Sequence, residues 1–479
     1  MLPRNGRSSL VTLATAFFLT GGLLISGCAM PDLNRELPIA DPQPFSASGA
    51  VERPEIWWTA FDDDDLNHHL DVAFEENFSL EAARERVLAA RALTWRRASD
   101  LWPDLNGLAD ARATFLPGSD PSLFALGLGA SYEPDIWGRI RSQVEAEGLR
   151  AAATEEDYQW VALQLSGEIA SVWYALAESH AQYELVEEQI KTNQQGLKLM
   201  ETRFGFGQNR SADVLRQRQL VESTREQLVV VQSRIELLEH QFAVLLGQTA
   251  QGAQYEVPAM LPELPPLPAA GLPSELIQRR PDVRRDYDAL LAADRDVASA
   301  VSNQFPRLNL TASLETAAEN PEGLFRDWIL GLAGQLTPPL FDGGQRRAEV
   351  HRTAAVTRQR IAQYGQTVLG AFQEVENALA REKYATERLA YIESQVELGD
   401  QTVTQLVEGY FTGVSDYLSV LTATTNQQRL QRQYLSIRLE QVLARIELYR
   451  SLSGDPLPPN SLPGVPASET PPPPPDSIE

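Results

Sequence analysis

One residue in this chain is placed for a covalent reaction. Cys28 is the single cysteine among 479 residues, and it directly follows Ile25-Ser26-Gly27 at the end of an apolar stretch. This arrangement resembles a bacterial lipobox, in which the thiol becomes a diacylglycerol thioether and the new N-terminus is acylated. The alternative is a free thiol that packs as a small hydrophobic side chain. The position favours lipidation of Cys28, since a lone cysteine has no intrachain disulfide partner.

The first residues predict export from the cytoplasm. Arg4 and Arg7 precede the apolar stretch 10–25, which is too short and too interrupted by Thr and Gly for a membrane span. We therefore expect a signal peptide at 1–27 and a lipidated N-terminal segment at 28–61. Ala29, rather than Asp, follows the cysteine, which is typical of sorting to the outer membrane of a Gram-negative bacterium.

The other chemically active side chains show no catalytic or metal-binding pattern. The five histidines are His68, His69, His180, His240 and His351. Their spacing matches no ligand set, and the HExxH, Walker A, GxSxG and dinucleotide motifs are absent from the sequence. The four aspartates at 62–65 could bind a divalent cation, but negative charge at a helix N-terminus explains them better. We expect no enzyme activity, no metal, and no cofactor besides the lipid on Cys28.

Charge and hydropathy exclude two further classes. Cleavage before Cys28 leaves 39 basic against 65 acidic residues, a formal charge of about −26. Nucleic-acid binding is therefore not expected. After the signal, no stretch reaches eighteen apolar residues, so a membrane-spanning part would have to consist of strands.

Four segments have the period of two that such strands require. They are 105–116, 122–133, 307–318 and 327–337. In the third, Leu308, Leu310 and Leu314 alternate with Asn309 and Thr311. Segments of about ten residues with one apolar and one polar face are typical of transmembrane β-barrels, although an ordinary antiparallel sheet gives the same pattern. Four strands cannot close a barrel, so we expect copies to share one: two copies would give eight strands and three would give twelve.

The remainder is predicted to be helical. Neither 135–257 nor 340–455 contains a proline, and both intervals are rich in Ala, Leu, Glu, Gln and Arg. Breaks containing glycine at 204–209 and 409–413 divide them into long helices at about 141–203, 212–246, 345–408 and 415–452, with shorter helices at 66–99 and 273–301. A continuous 141–203 would be about 95 Å long. This length favours a tunnel lined by coiled-coil-like helices over a compact soluble bundle.

The two halves of the chain repeat one another. Trp102-Pro103 returns as Phe305-Pro306 at an offset of 203, the segment 132–138 returns at 204, and 204–215 returns at 206. We therefore expect two similar repeats, 62–257 and 273–454, rather than unrelated domains. The Pro-rich segment 258–272 is expected to link them, and 455–479 to form a disordered tail.

Several of these motifs together resemble the outer membrane factor family of TolC-like tunnel proteins, in its NodT-like lipoprotein branch. The motifs are the runs 132–141 and 339–349, Trp57-Trp58 with Phe61, and Arg280-Pro281-Asp282-Val283. The resemblance covers nearly the whole mature chain. Its two strand-to-helix transitions carry Pro134, Trp137, Gly138, Pro339, Phe341 and Gly343.

The resemblance implies an α+β membrane protein that works as a homotrimer. Each protomer would contribute four strands to one shared twelve-stranded transmembrane β-barrel, which stands on a long periplasmic α-helical barrel. The implied function is the outer membrane channel of a tripartite efflux system, which exports drugs and other small toxic compounds. Its partners would be a periplasmic adaptor, an inner-membrane pump of the RND type and outer membrane lipid.

The resemblance also implies a gate at the periplasmic tip. Tyr410 and Asp213 match a pair that links neighbouring helices in the closed state of some members, although a packed aromatic and a capping aspartate explain them equally well. Leu418 matches an apolar constriction. Where members often carry Asp, Asp and Arg, this chain has Ser419, Thr422 and Thr425, so cation selectivity is not implied.

Two functional classes remain open from the residues. The first is an export duct, including a duct for secreted polypeptides, and the second is a non-conducting periplasmic scaffold. The alternating hairpins favour the duct. The sequence leaves the exported substrate open among drugs, solvents, metals and polypeptides, although only four methionines argue against a thioether-lined metal path.

Overall fold

The computed structural model describes residues 43–52, 54–112 and 123–457. Cys28, the signal peptide, the turn between the first two strands and the tail beyond residue 457 lie outside these residues. The expectations made for them therefore stay predictions.

Within the described residues, the two halves contain the same order of elements. The first half has α1 (Asp64–Glu76), α2 (Phe78–Ala98), β1 (Asp104–Arg112), β2 (Leu123–Tyr132), α3 (Arg139–Gly205) and α4 (Ser211–Leu245). The second half has α5 (Pro273–Arg279), α6 (Pro281–Ser302), β3 (Arg307–Ala318), β4 (Ile329–Thr337), α7 (Gln345–Thr412) and α8 (Tyr417–Leu452). The internal repeat is thus a repeat of structure, with each half running helix, hairpin, then two long helices.

Each short helix expected before a hairpin is broken in two. Asn77 ends α1, and its side-chain oxygen accepts hydrogen bonds from the N–H groups of Ser79 and Leu80 at 2.9 and 3.1 Å, which caps α2. In the second half Pro281 forces Arg280 into an extended conformation, and α6 starts at the proline. The expectation of continuous helices at 66–99 and 273–301 was therefore wrong at these two residues.

The helices α3 and α7 are the longest elements of the described residues. They contain 67 and 68 residues, which corresponds to about 100 Å each. α7 runs four residues beyond the expected end at 408, because Gly409 stays helical and Gly413, with φ of +83°, ends the helix. No helix in the described part of the chain combines the length and the apolar character that crossing a membrane requires.

The four strands form one antiparallel sheet in the order β1-β2-β3-β4. Gly107 pairs with Leu128, Leu128 with Leu314, and Leu314 with Leu330, so this row lies on one face. The adjacent positions, among them Asp110 and Glu315, lie on the other face. Within the described residues, the outer edges of β1 and β4 have no strand neighbour.

An aromatic cluster near the N-terminus joins the two halves. The ring of Trp57 stacks on Tyr449 of α8 at 6.5 Å between centroids, and Phe61 packs against Tyr174 of α3 at 5.5 Å. The indole N–H of Trp57 also donates to the hydroxyl of Ser166 at 3.1 Å. The Trp57-Trp58 motif is therefore a packing element that holds α3 and α8 together.

A buried arginine anchors the start of the second repeat. Arg280 is 1% exposed and donates to both carboxylate oxygens of Asp282, at 2.9 and 2.7 Å. Its guanidinium also donates to Glu374 of α7 at 2.9 Å and to the carbonyl of Ser451 of α8 at 3.3 Å, and lies over the ring of Trp160 of α3. One side chain thus connects α3, α6, α7 and α8.

Candidate gate and junction sites

The candidate gate residues lie where the long helices turn. Residues 206–210 connect α3 to α4, and residues 413–416 connect α7 to α8. A small apolar cluster packs between these turns, and its members are Met200, Val214 and Tyr417, with Leu197, Tyr410 and Leu421 against them. The structure therefore brings the tips of both repeats together in one place.

Tyr410 connects the two turns. Its hydroxyl donates to the side-chain oxygen of Asn209 at 2.8 Å, and the guanidinium of Arg203 lies 5.2 Å from the centre of its ring. Because Tyr410 belongs to α7 while Asn209 and Arg203 flank the first turn, these contacts join the two repeats. A hydrogen bond and a cation–π contact of this kind each contribute about 1 kcal/mol.

Asp213 has a different partner within the protomer. It lies in the first turn of α4, where negative charge is favourable, and its carboxylate accepts from Arg216 at 3.2 Å. Arg210, not Asp213, occupies the N-cap position. Tyr417 is buried beside them, and its hydroxyl donates to Gln217. Burial, and then the charge of Asp213, raises the pKa of Tyr417 above its ordinary value, so this hydroxyl stays protonated.

Leu418, Ser419, Thr422 and Thr425 lie on the first turns of α8. Leu418 is half exposed, and the hydroxyls of Thr422 and Thr425 donate to the carbonyls of Leu418 and Leu421, each at 2.8 Å. The N–H of Ser419 donates to Asp416 at 2.7 Å, and this bond lowers the pKa of the Asp416 carboxyl. The two threonine hydroxyls are thus bonded to their own helix, and the charged group at the start of this helix is the Asp416 carboxylate.

A polar seam inside the helical region was not expected from the sequence. Gln182 of α3 donates to the carbonyl of Arg432 of α8 at 2.7 Å, and Asn193 of α3 donates to the side chain of Gln428 at 3.2 Å. The α3 members of this seam are Glu178, Gln182, Gln189 and Asn193, all buried. Their spacing of four, seven and four within an apolar stripe was the available signal. Buried polar pairs of this kind set the register between packed helices.

At the other end of the long helices, the first strand-to-helix transition is tightly bound to the second repeat. The ring of Trp137 stacks on Phe305 at 4.9 Å, its indole N–H donates to the carbonyl of Pro306 at 2.8 Å, and its own carbonyl accepts from Ser302 at 2.8 Å. Gly138, with φ of +70°, is the N-cap of α3.

Pro134 begins this turn, which Asp135 completes. The carbonyl of Pro134 accepts from the N–H of Ile136 at 2.9 Å. The carboxylate of Asp135 accepts from the N–H groups of Ile140 and Arg141 at 3.0 and 2.8 Å. These bonds satisfy two of the free N–H groups at the start of α3.

The second strand-to-helix transition is more exposed to solvent in the protomer. Gly343 and Gly344 have φ of +64° and +89°, and Asp342 accepts from the N–H of Gly344 at 2.9 Å. Pro339 is partly buried, whereas Phe341 is 93% exposed. The aromatic residue that matches Trp137 thus lies against solvent in the protomer.

The structure therefore divides the expected site residues between two ends. Asp213, Tyr410 and the start of α8 lie at the helical tip, and the transition residues lie beside the sheet. Cys28 is outside the described residues. Asn209, Arg203 and Tyr417 complete the tip, and their contacts there were not predicted from the sequence.

Comparison with known proteins assigns this architecture to a family. The family model described as outer membrane efflux protein matches residues 70–248 and 272–454. These two matches correspond to the two structural repeats and together span well over half of the chain.

Characterised relatives match over most of their length. The solvent efflux pump outer membrane protein SrpC of Pseudomonas putida is 30% identical over 413 residues, which cover 82% of this chain and 86% of that protein. The pyoverdine export outer membrane protein OpmQ of Pseudomonas aeruginosa is 28% identical over 449 residues, which cover 90% and 95%.

The cation efflux system protein CusC of Escherichia coli is similar in both sequence and structure. It is 27% identical over 447 residues, which cover 90% of this chain and 97% of that protein. A crystal structure of CusC superimposes with a TM-score of 0.80 at 26% identity, covering 89% of this chain and 99% of that chain. From these matches, the chain belongs to the outer membrane efflux protein family and is an outer-membrane channel component of efflux transport, not an enzyme.

Proposed function

We propose that the protein is a homotrimeric duct that crosses the outer membrane and much of the periplasm. Each protomer contributes four strands to a shared twelve-stranded β-barrel and four long helices to a helical barrel below it. The observation that carries the proposal is the joining, in each repeat, of one β-hairpin to a helix of about 100 Å.

The sheet supports a membrane location for the hairpins. Its apolar face displays Leu105, Leu128, Leu330 and Leu332 to solvent in the protomer. Among the residues that the structure describes, no strand pairs with the outer edges of β1 and β4. Lipid does not tolerate unpaired backbone groups at such edges unless further strands pair with them. A twelve-stranded closed sheet satisfies both requirements and leaves room for an aqueous lumen.

The proposed lipid anchor adds to this membrane attachment. Acylation of Cys28 would hold the N-terminus at the membrane, and several acyl chains anchor stably where one chain alone is marginal. In this assignment the segment 28–61 begins at the lipid-bearing Cys28 and ends with the Trp57–Phe61 turn. This turn packs on α3 and α8.

The cargo comprises small molecules delivered by a periplasmic adaptor and an inner-membrane pump of the RND type. The printed functions of the relatives, solvent, pyoverdine and cation efflux, support export of small molecules. Ser419, Thr422 and Thr425, which are uncharged, support a lumen without a ring of acidic side chains at these three positions.

The helical tip is the proposed gate. The contacts of Tyr410 with Asn209 and Arg203 join the two repeats, so opening requires that these bonds break or exchange. Leu418, exposed beside the turn, provides an apolar side chain that can close a narrow pore by dewetting.

The test combines the mass of the purified, lipidated protein in detergent with single-channel recording in a planar bilayer. We expect a trimer with small, rarely open currents. A monomer without currents would overturn the duct and favour the scaffold. A trimer that remains silent after the tip contacts are removed would overturn the gate but not the assembly.

A further inference from the structure

The helices beside the sheet follow the order of its strands. α2 leads into β1, β2 into α3, α6 into β3, and β4 into α7. α3 packs against α2 and α6, and α6 packs against α7, so neighbouring helices continue neighbouring strands. The sheet and the adjoining helices therefore form one continuous layer with two faces.

A polar cavity of about 430 Å³, called the junction cavity below, lies where the strands meet these helices. Five arginines from α2, α3, β3 and α7 line it: Arg97, Arg139, Arg150, Arg307 and Arg352. Three carboxylates also line it, those of Glu147, Asp296 and Glu349. Five positive charges against three negative ones leave a surplus of two, although acidic residues outnumber basic ones in the chain as a whole.

The sheet identifies the face on which the junction cavity opens. Arg307 precedes Leu308 in the alternation of β3, so it lies on the polar face of the sheet. Glu133, which accepts from Arg139 at 2.9 Å, follows β2 at a position of the same face. In the proposed duct the apolar face meets lipid, so the polar face and the cavity border the lumen.

Two of the arginines account for the three lining carboxylates. Arg150 donates to Glu147 at 2.9 Å and to Asp296 at 2.5 Å. Arg352 donates to Glu349 through two N–H groups, each at 2.8 Å. The other three arginines therefore have no partner among the carboxylates of the lining.

Arg139 and Arg307 retain hydrogen-bonding capacity. The guanidinium of Arg307 donates to the side-chain oxygen of Asn303, a neutral acceptor, at 2.5 Å. Arg139 donates to Glu133, but its Nε–H is buried without an acceptor among the residues that the structure describes. Because each guanidinium has five N–H groups, both can donate to a further anion.

The packed first transition holds these two arginines beside one another. The indole of Trp137 bonds the carbonyl of Pro306, and Arg307 is the next residue in the chain. Arg139 follows Trp137 by two residues, in the first turn of α3. Side chains that start from a rigid part of the fold are well suited to bind a ligand in a defined position.

We propose that the junction cavity binds the phosphate or carboxylate group of an anionic small molecule that passes through the lumen, with Arg139 and Arg307 as its donors. Guanidinium groups match the geometry of both anions, and the volume of the cavity suits a small molecule. This inference rests on the proposed duct and adds anionic compounds as a class of its cargo.

The phosphate of a lipid headgroup is a second source of the same chemistry. Lipid contacts the apolar face of the layer, whereas Arg307 belongs to the polar face. The position of the junction cavity therefore favours a dissolved anion in the lumen.

Binding of inorganic pyrophosphate to the purified protein in detergent tests the site, measured by isothermal titration calorimetry at low salt. We expect saturable binding that weakens as added salt screens the arginines. Arg307→Gln should weaken it by about tenfold or more, since a charge-assisted hydrogen bond is lost. Arg307→Lys keeps the charge but not the planar fork of N–H groups, so its affinity should lie between those of wild type and Arg307→Gln.

Arg295→Gln is the matched control. Arg295 belongs to α6 and pairs with Glu145 of α3 at 3.2 Å, but it does not line the junction cavity. Its replacement should leave pyrophosphate binding unchanged. Thermal unfolding shows that each variant is folded, and Arg307→Gln is the mildest change because the bond that it removes goes to the neutral Asn303. Equal affinities of wild type and Arg307→Gln, or equal losses in Arg307→Gln and Arg295→Gln, would overturn the site.

Nanodiscs distinguish the two sources of the anion. Pyrophosphate binding is measured in nanodiscs of phosphatidylcholine and in nanodiscs that also contain phosphatidylglycerol, whose headgroup is an anionic phosphodiester. A site on the lumen wall should bind pyrophosphate in both. Loss of binding only where phosphatidylglycerol is present would assign the junction cavity to a lipid headgroup and overturn the cargo site.

Ion selectivity provides a second measurement on open channels. Arg139→Gln/Arg307→Gln should lower the permeability of chloride relative to potassium, seen as a shift of the reversal potential under a gradient of potassium chloride. An unchanged reversal potential would overturn the placement of the junction cavity on the conduction path.

The outcomes separate this inference from the duct itself. A conducting trimer that does not bind pyrophosphate overturns the anion site and leaves the duct intact. A monomer without currents that binds pyrophosphate through Arg307 supports the anion site but overturns the duct, and with it the passage of anionic cargo.

Discussion

Trp137 stacks on Phe305 with ring centroids 4.9 Å apart and an angle of 22° between the planes. The pair joins the end of the first hairpin to the beginning of the second. Since the two residues are separated by more than 160 positions, the contact fixes how the repeats meet beside the sheet.

Trp137→Ala is expected to lower the free energy of unfolding by about 1–3 kcal/mol, because it removes an aromatic stack and an indole hydrogen bond. Thermal unfolding in detergent measures the change. Ile136→Ala is the matched control, since Ile136 is exposed in the protomer and adjacent in sequence. Equal effects of the two substitutions would contradict the role assigned to Trp137.

Tyr410→Phe combined with Asp213→Ala is expected to loosen the closed tip and raise single-channel conductance. The structure resolves the roles of the two residues, because Tyr410 bonds Asn209 whereas Asp213 bonds Arg216. Asn209→Ala should therefore reproduce Tyr410→Phe without adding to it. Asp213→Ala breaks a pair within α4, so most of the change is expected from Tyr410→Phe. Conductance like that of wild type in the Tyr410→Phe/Asp213→Ala variant would rule out this gate.

Arg280→Ala is expected to destabilise the protein by about 3–5 kcal/mol, since it leaves the buried Asp282 carboxylate without its partner. The measurement is the midpoint of chemical denaturation in detergent. Arg352→Ala is the control, because Arg352 forms an exposed pair with Glu349 at 2.8 Å that should contribute about 0–1 kcal/mol. A small effect at Arg280 would show that Asp282 and Glu374 find other donors.

Stability should also depend on pH through Glu156. Burial raises the pKa of Glu156 from 4.5 to about 7, and the Arg284 guanidinium, bonded to it at 2.9 and 2.5 Å, offsets only part of that effect. Because the folded-state pKa lies above the unfolded value, the contribution is fully present below about pH 4.5 and is lost as pH rises through about 7.

Glu156→Gln should remove this dependence. Between about pH 4.5 and 7.5 the wild type is expected to lose roughly 1–2 kcal/mol relative to the variant, after allowance for the partial exposure of the carboxylate. Denaturation midpoints across this window measure the difference. If the denaturation midpoint changed with pH in the same way in the wild type and in Glu156→Gln, the raised pKa assigned to Glu156 would be contradicted.

The local pattern of residue types was sufficient to predict the strands and the long helices. The period of two at 307–318 corresponds to β3 at Arg307–Ala318, and the proline-free intervals correspond to the long helices. The break at Arg280 was missed although Pro281 marks it in the sequence, because the apolar pattern continues across it. The break at Asn77 was missed for the same reason.

The hydrogen-bond partner of Tyr410 at the tip could not be predicted from the sequence. Whether Tyr410 reaches Asn209 or Asp213 depends on how α7 is rotated about its axis against the turn after α3, since the two candidates are only four residues apart. In the same way, the rotation of α3 about its own axis decides that Glu178 and Gln182 are buried against α8.

The sequence by itself determined the repeat, the alternation of the strands and the uninterrupted helices, because these depend on residue types within a few positions of one another. Only the tertiary structure decided that Trp137 is packed while Phe341 is left exposed, and that Tyr410 bonds Asn209. Those outcomes depend on the packing of elements about 170 to 200 residues apart, where a small rotation or shift of a helix exchanges one partner for another.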